Sequence, residues 1–402
     1  MRKVLAYGFP LAGNFGGPSV IHGLRELVAC VCPGAEFVFY NRGALDGYCA
    51  CDMDFKVRVN PYEGCPYRLF RDFVAVRWFG LRPHNPAKQE FWEDFLSSDA
   101  VVYAYAICFH HKQQDESAVH PLFTAVRRAL NVTGLSLLAR LTGRRSIKST
   151  SSYGPMPYPY YKWLARISSR FFTVMVARER ESARMMREQA GVRKPISVAP
   201  DVANLMPVRD VSVVPGRVGF AISFQIVNQW KGAAEDYVGC MRELVRHVCS
   251  HGNREVVLIP NQYAYTSGAN DEDIARRILD GMGAKARIVD ASHCGALAVK
   301  SEIASCEFLV SSRYHASVAG FSAGVPQLII GWHHKYTELA ELYGQSDWLM
   351  KTEDCDISAL LSTFDRAWDR RGEMRRDLTA RRSAVEESVL ESGRHMLGEV
   401  NR

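Results

Sequence analysis

The sequence has no long apolar run and no patterned set of cysteines. No apolar stretch in its 402 residues approaches the roughly 20 needed to cross a bilayer. Pro10 and two glycines interrupt the apolar start before it reaches the length of a signal peptide. The eleven cysteines include two CxC pairs, but no CxxC pair and no histidine at zinc-ligand spacing. We therefore expect reduced thiols, no metal site and a cytoplasmic protein.

Nucleic-acid motifs are also absent. The formal net charge of +7 is modest for this length, and the basic residues concentrate in residues 140–148 and 366–382. Neither segment has the stacked aromatics of a nucleic-acid module, and acids alternate with the second, so we expect no nucleic-acid partner. Solvated surface is the simplest interpretation of both. Attraction to anionic substrates, or peripheral contact with the cytoplasmic face of the membrane, is the alternative.

The length and composition predict two globular domains. A chain of 402 residues exceeds the size at which a single core stops growing, and its hydrophobic (47%) and charged (23%) fractions are typical of globular proteins. Residues 206–217 contain two prolines and a glycine without helical periodicity, which indicates a linker. We predict an acceptor-side domain over 1–207 and a donor-side domain over 208–402, with the option that the last helices pack back on the first domain.

Short apolar runs alternate with segments of helical period, as in βαβ units around parallel sheets. The strands predicted in the first half are Val4–Tyr7, Phe37–Tyr40, Ala100–Cys108, Ser146–Ser149, Val174–Ala177 and Ile196–Ala199. The helices predicted between them are Ser19–Cys30, Pro121–Leu141 and Glu181–Gln189. The second half supplies strands at Val218–Ser223, Val256–Pro260, Arg287–Asp290, Phe308–Ser311 and Gln327–Gly331. We predict an α/β protein with two Rossmann-like domains in a GT-B-like arrangement, whose ligands bind at the carboxyl ends of strands beside an interdomain cleft.

The strongest local motif, SSRYHAS, lies between a predicted strand and a helix of small residues. It places Ser312, Arg313 and His315 at a helix N-terminus. Free backbone amides, a permanent cation and a titratable imidazole suit the binding of a phosphate and the movement of a proton. An ion pair for Arg313 and a hydrogen-bonded His315 in a packed turn explain the same residues equally well.

Two further strands end in polar residues. His333, His334 and Lys335 follow the strand QLIIG, and we expect one of the three, but not all, to face a ligand. Surface positions on a loop are the alternative for each of them. Arg178 closes the strand Val174–Ala177 and points from the same edge of its sheet, where a salt bridge with a neighbouring glutamate is the alternative.

Residues 311–344 resemble the C-terminal signature of the polysaccharide pyruvyl transferase family, with Arg-x-His, a small-residue helix and a Gly-Val-Pro turn. The block around Arg178, residues 176–182, is similar to another family segment and is followed in order by Gly-Val and Pro-Asp. Residues 152–155 resemble the family's Gly-Pro turn. Residues 259–260 and 270–271 resemble its second-domain strand and the aspartate beyond it.

The resemblance implies transfer of the enolpyruvyl group of phosphoenolpyruvate to saccharide hydroxyls, forming a pyruvate ketal during cell-surface polysaccharide biosynthesis. Arg178 and Arg313 bind the donor in this interpretation, and His315 donates or accepts a proton. No cofactor is implied, and the acceptor is a nucleotide-linked or lipid-linked saccharide. The alternatives are a GT-B sugar-nucleotide glycosyltransferase and a non-catalytic saccharide-binding protein.

The chain departs from the family pattern at two places on the acceptor side. The first loop contains Asn14, Gly16 and Gly17 but lacks the family's acid, and Asn261 stands where a histidine is frequent. The loop has no GxGxxG spacing, which argues against a dinucleotide site. We expect it to form a tight turn that lines the acceptor cleft, and we expect Tyr153, from an aromatic cluster at 153–163, to contact substrate.

Overall fold

Two parallel β-sheets organise the chain. The computed structural model describes residues 1–43, 52–105, 107–109, 121–227, 230, 234–263, 270–282, 285–290 and 294–398. The first sheet contains β1 (Lys3–Tyr7), β2 (Glu36–Asn41), β3 (Lys56–Val59), β4 (Ala100–Tyr103), β5 (Ile107–Cys108), β6 (Arg145–Tyr153), β7 (Val174–Ala177) and β8 (Ser197–Val198). The second contains β9 (Val214–Ala221), β10 (Glu255–Leu258), β11 (Ala286–Ile288), β12 (Cys306–Ser311), β13 (Gln327–Gly331) and β14 (Leu349–Lys351).

The strand order confirms the predicted fold class. The first sheet runs β3-β2-β1-β4-β6-β7-β8, with β5 beside β6, and the second runs β11-β10-β9-β12-β13-β14. Every strand pair in both sheets is parallel. Each sheet reverses its winding beside its own first strand, between β1 and β4 and between β9 and β12. Such switch points open a crevice at the carboxyl ends of the strands.

Helices cover both sheets. In the first half they are α1 (Gly16–Val31), α2 (Pro66–Phe79), α3 (Pro86–Ser97), α4 (Pro121–Leu141), α5 (Pro159–Ser168) and α6 (Arg180–Glu188). In the second half they are α7 (Phe224–Val227), α8 (Ala234–Ser250), α9 (Asp271–Leu279), α10 (Ala296–Ala304), α11 (Tyr314–Ser322), α12 (His334–Leu342), α13 (Ile357–Asp369) and α14 (Arg371–Leu397). None of these described helices is both long enough and apolar enough to cross a membrane.

One hydrophobic core joins the two halves of the chain. Val20, Leu24 and Leu27 on the apolar side of α1 pack in the same cluster as Val318 and Phe321 of α11. Their spacing of three to four residues is that of a helix with one buried face. Hydrogen bonds also join the two halves. The Asp52 carboxylate accepts them from Leu297 N at 3.2 Å and from the Arg209 guanidinium at 2.7 Å.

The last described helix returns to the first sheet. Gly393 of α14 lies so close to Leu27 of α1 that an added Cβ would overlap the leucine side chain. The Arg145 guanidinium at the start of β6 donates hydrogen bonds to the carbonyl oxygens of Met396 and His395, at 2.5 and 2.7 Å. Residues from the end of the chain therefore complete the packing around the first sheet.

The prediction of one continuous strand over Ala100–Cys108 was wrong. β4 ends at Tyr103, and β5 forms a separate pairing with the far end of β6. Near this break the buried side-chain ammonium of Lys148, on β6, donates hydrogen bonds to the carbonyl oxygens of Tyr103 and Tyr105, at 3.4 and 2.7 Å. These bonds compensate for the strand ladder that is lost where the chain bends.

The contact between α1 and residues 202–205 predicts a stability difference between two glycines. A Cβ on Gly23 would overlap the carbonyl oxygen of Val202, whereas a Cβ on Gly239 of α8 meets no atom within 4 Å. Gly23→Ala should lower the free energy of unfolding by about 1–3 kcal/mol through overpacking. Gly239→Ala, the control, should leave it unchanged or raise it by up to about 1 kcal/mol. Equal midpoints of urea unfolding for both variants would contradict this packing.

Candidate functional site

Three strand ends bring the polar residues together. Arg178 and Glu179 follow β7, Ser312 to His315 follow β12, and His333 to Lys335 follow β13. Because all three strands end toward the crevice, their side chains meet there with Gly16 at the start of α1. An added Cβ on Gly16 would lie 2.5 Å from His315 Nδ1, so the first loop and the Arg-x-His segment are in direct contact.

Arg178 is buried in a dense network. Its guanidinium donates hydrogen bonds to Glu179 at 2.7 Å, to Asp201 at 2.7 Å and to the Ser152 hydroxyl. It also lies over the ring of Tyr314, 4.3 Å from the ring centre. Burial alone would raise the pKa of Glu179, but Arg178 and two serine hydroxyls lower it to about 2. The Glu179 carboxylate is thus held as an anion against the guanidinium.

Arg313 is also paired with a carboxylate. Its Nε donates to Asp271 at 2.8 Å, and its Nη2 bonds the other oxygen of the same carboxylate. Asp271, which is fully buried at the start of α9, accepts further hydrogen bonds from the backbone amides of Phe224, Asn261 and Gln262, at 2.9, 3.1 and 2.9 Å. Nη1 of Arg313 has no hydrogen-bond partner in the part of the chain that the structure describes.

The two segments that depart from the family pattern contact each other. Phe15 N donates to Asn261 O at 3.0 Å, and Tyr263 N donates to Gly13 O at 3.1 Å. Asn14 pairs with Gln262 as an antiparallel bridge, and its Oδ1 accepts a hydrogen bond from Gly16 N at 2.7 Å. The first loop is therefore attached to the loop after β10 across the crevice, with Gly17 beside Phe9.

His315 is poised as a neutral imidazole. Its Nε2 lies 3.8 Å from the Asp201 carboxylate and has no hydrogen-bond partner among the described residues. Burial lowers the pKa of His315 to about 4, against the opposing effect of Asp201 and with support from the charges of Arg178, Lys335 and Arg313. The ring can therefore accept a proton at neutral pH. An anionic ligand beside it would raise this pKa.

Lys335 differs from both arginines because it forms no ion pair with a carboxylate among the described residues. Its side chain is buried among three aromatic rings, with Nζ 4.7 Å from the centre of Trp332, 5.4 Å from Tyr336 and 5.6 Å from Tyr314. Nζ forms no ion pair or hydrogen bond with any residue that the structure describes. Burial, with smaller contributions from the charges of Arg178 and Arg313 and against the opposing charge of Glu179, lowers the pKa of Lys335 to about 7.

The histidines beside Lys335 belong to the same cluster. His333 caps α12 by accepting a hydrogen bond from Lys335 N at 3.4 Å, and burial lowers the pKa of His333 to about 3. The ring centre of His334 lies 4.0 Å away, and the buried Nε2 of His334 has no partner among the described residues. The described residues contain no group of His, Cys, Asp and Glu arranged to hold a metal ion.

The structure differs from the sequence analysis at two positions. The structure does not bring Tyr153 to the crevice, because its ring is fully buried in the core and its hydroxyl donates to Val176 O at 3.4 Å. Glu338, which sequence reasoning missed, reaches from α12 to the start of α6, where it accepts hydrogen bonds from the amides of Arg180 and Glu181 at 2.7 and 3.2 Å. Glu338 has no local sequence signal, because its partners lie more than 150 residues away.

Two Rossmann-like sheets whose strand ends meet at a polar crevice define a two-domain α/β protein of the GT-B architecture. Solved structures of this class match the whole chain at low identity, which shows the fold alone. A putative UDP-N-acetylglucosamine 2-epimerase from Listeria monocytogenes has a TM-score of 0.61 and 12% identity, with 100% of this chain and 99% of that chain covered. S. aureus MnaA, solved with UDP, has a TM-score of 0.58 and 10% identity, covering 100% and 98%. Anabaena HepE, in complex with UDP and glucose, has a TM-score of 0.56 and 11% identity, covering 100% of both chains.

A family model for polysaccharide pyruvyl transferase matches residues 127–334, just over half of the chain. The protein belongs to the polysaccharide pyruvyl transferase family, which makes it a transferase of polysaccharide modification. The matched segment includes Arg178, Arg313, His315 and the first three residues after β13. No curated protein matches the sequence.

The uncompensated charge of Lys335 predicts a pH-dependent effect on stability. Its pKa falls from 10.5 in the unfolded chain to about 7 in the fold. Between these values the unfolded chain binds a proton that the folded chain does not, so the lysine opposes folding most at and below pH 7. Lys335→Met should raise the free energy of unfolding at about pH 7, and the gain should shrink toward about pH 10.

The control for this measurement is Lys351→Met, because the Lys351 side chain is 63% exposed. It should leave the free energy of unfolding nearly unchanged at both pH values. Urea unfolding of the three proteins at each pH gives the comparison. A gain for Lys335→Met that is the same at both pH values would show that the lysine is not buried as a strained cation.

Proposed function

We propose that the protein transfers the enolpyruvyl group of phosphoenolpyruvate to hydroxyl groups of a saccharide and forms a pyruvate ketal in cell-surface polysaccharide biosynthesis. The observation that carries this proposal is Lys335, a buried cation without a carboxylate partner, beside a neutral His315. Such a pair suits a small ligand with several negative charges and a reaction that moves protons. Membership of the pyruvyl transferase family supports the same reaction class.

The pairing of the cations in the crevice supports an anionic donor. Arg178 is engaged by two carboxylates and Arg313 by one, so both guanidiniums are already neutralised by carboxylates of the protein. The ammonium group of Lys335 forms no ion pair or hydrogen bond with a described residue, so it is left for a ligand. We assign Lys335 to direct contact with the phosphate or the carboxylate of phosphoenolpyruvate, with the free Nη1 of Arg313 as a second donor. Arg178 acts mainly by fixing Asp201 and Tyr314 around the site.

The reaction requires one proton to reach the donor and two protons to leave the acceptor. Binding of the anionic donor raises the pKa of His315, and the protonated ring gives its proton to the methylene carbon, which leaves a positive centre at the central carbon of the enolpyruvyl group. A sugar hydroxyl attacks that carbon while His315 takes the hydroxyl proton. The bond to the phosphate oxygen then breaks. A second hydroxyl closes the ketal, and its proton balances the released phosphate.

The acceptor in this proposal is a nucleotide-linked or lipid-linked saccharide. The joined loops at Gly13–Phe15 and Asn261–Tyr263 form a wall of the crevice near His315. Asn14 uses its Oδ1 for Gly16 N, and its amide nitrogen lies 3.4 Å from Gln262 Oε1. The side chains of Asn14 and Gln262 thus form a polar pair at this wall, which suits contact with sugar hydroxyls.

Calorimetric titration with phosphoenolpyruvate tests the donor assignment. Lys335→Met should weaken binding at least tenfold, because a lost charge-assisted contact costs about 1.5–3 kcal/mol. At about pH 8 the wild-type protein should take up protons on binding, seen as a dependence of the heat on the buffer, since the ligand raises the pKa of Lys335. The variant should show less uptake. Lys300→Met, which replaces another buried lysine whose pKa is lowered to about 7, is the control and should keep wild-type affinity.

Unchanged affinity in Lys335→Met would remove the donor assignment. A protein that binds nucleotide sugars but not phosphoenolpyruvate would overturn the pyruvyl transfer itself and favour a glycosyltransferase on the same fold.

The role of His315 predicts a separation of binding from turnover. His315→Gln should keep donor affinity within about threefold, since Nε2 makes no hydrogen bond in the described chain. It should reduce the rate of ketal formation by about 10²–10⁴, the usual contribution of a proton-transferring group. The measurement is mass-spectrometric detection of the ketal on a saccharide acceptor, with calorimetry for affinity. A rate within tenfold of wild type would exclude His315 as the proton carrier.

A further inference from the structure

Large apolar side chains are exposed on the outer side of the first sheet. The exposed fraction is 69% for Trp78 and 71% for Phe79 at the end of α2, 67% for Leu141 at the end of α4 and 57% for Trp163 on α5. The opposite sides of these helices fill the core beneath them. Scattered single apolar residues are normal on a protein surface, whereas several bulky residues on neighbouring helices mark a contact surface.

The three helices form one continuous outer face. A Cβ on Gly134 of α4 would lie 3.5 Å from Phe70 and 3.6 Å from Leu69 of α2, and α4 also packs against α5. Farther along, Arg77 of α2 is close enough to Arg144 to lower its pKa, after the larger effect of burial. The two helices therefore run in the same direction, which places Trp78 and Phe79 beside the end of α4. We call the exposed surface of α2, α4 and α5 the outer helical face.

The outer helical face carries charge of one sign. The helices α4 and α5 together contain five lysines and arginines and no aspartate or glutamate. The single acid of α2, Asp72, is buried and paired with Arg71 and Lys88. Arg77 and Arg140 are exposed, and neither forms an ion pair with a described residue. No described residue on this face neutralises them.

A basic cavity adjoins the face at the end of α5. It is lined by Arg166, Arg170, Arg193 and Lys194, with no acidic residue. Lys194 is close enough to Arg140 of α4 for the arginine to contribute to lowering its pKa, again after burial. Four cations around a small cavity suit a phosphate group, and the exposed Trp163 on the same helix as Arg166 has the amphipathic ring favoured where water meets lipid.

We propose that the outer helical face docks the protein on the surface of a bilayer that contains anionic phospholipids. The exposed rings and Leu141 enter the headgroup region, the arginines bind lipid phosphates, and the basic cavity holds one headgroup. A nucleic acid fits less well, because the exposed rings lie on helix surfaces and not in a groove where bases stack. The proposal does not depend on the reaction assigned to the crevice.

Sedimentation with lipid vesicles tests the charged part of this face. The full chain should bind vesicles of phosphatidylcholine with phosphatidylglycerol and should not bind vesicles of phosphatidylcholine alone. Arg77→Ala/Arg140→Ala should weaken binding by about 25-fold, on the order of fivefold for each arginine. Arg246→Ala/Arg376→Ala, which removes two exposed arginines from α8 and α14, changes the net charge equally and should have no more than a twofold effect.

A separate variant tests the apolar part of the outer helical face. Trp78→Ala/Phe79→Ala should weaken vesicle binding at least tenfold while phosphoenolpyruvate titration and thermal unfolding stay as in wild type, since both side chains are exposed. The proposal is overturned by any of three results: no binding to anionic vesicles, equal losses in the two double-arginine variants, or binding to RNA under conditions where the vesicles are not bound.

Discussion

The buried guanidinium of Arg178 is the interaction on which the rest of the site depends. It joins the end of β6 through Ser152, the turn after β7 through Glu179 and the short helix after β8 through Asp201, while the ring of Tyr314 covers it from the other half of the chain. Removing one member of such a buried group leaves an uncompensated charge and costs about 3–5 kcal/mol. His315 and Lys335 take their positions beside this group, and their lowered pKa values both include the charge of Arg178.

The cations of the site have two different roles. Arg178 and Arg313 hold parts of the structure together through carboxylates, whereas Lys335 is available to a ligand. Arg313 ties Asp271 to the loop after β10, and that loop in turn holds the first loop at Gly13 and Phe15. A substitution of Arg313 therefore disturbs the wall near His315 as well as any ligand contact. Lys335 has no such structural role, because its Nζ lies among aromatic rings and forms no ion pair with a described residue. An anionic ligand that contacts this lysine therefore forms a charge-assisted hydrogen bond without breaking an ion pair among the described residues.

The sequence predicts which residues lie at the site better than it predicts the hydrogen bonds and ion pairs that those residues form. Strands end one or two residues before Arg178, Ser312 and His333, so the parallel topology places Arg178 at the carboxyl edge of the first sheet and the other two at that of the second. The pairing of Arg313 with Asp271 spans 42 residues, and its occurrence depends on how α9 approaches β12. The burial of Tyr153 depends on packing between β6 and α6, which no local pattern reveals. The bend between β4 and β5 depends on Lys148, whose side chain reaches carbonyl groups more than 40 residues away.

The return of α14 to the first sheet has a consequence for the order of events during synthesis. The ribosome produces α1 and the first sheet long before α14, yet Leu27 on α1 packs against Gly393 of that last helix, and the Arg145 guanidinium bonds two of its carbonyl oxygens. The apolar surface of α1 thus stays incompletely covered on the nascent chain while the whole second sheet is being translated. Side chains of α14 pack in the cores of both halves, so a nonsense codon upstream of this helix would leave apolar surface uncovered in each.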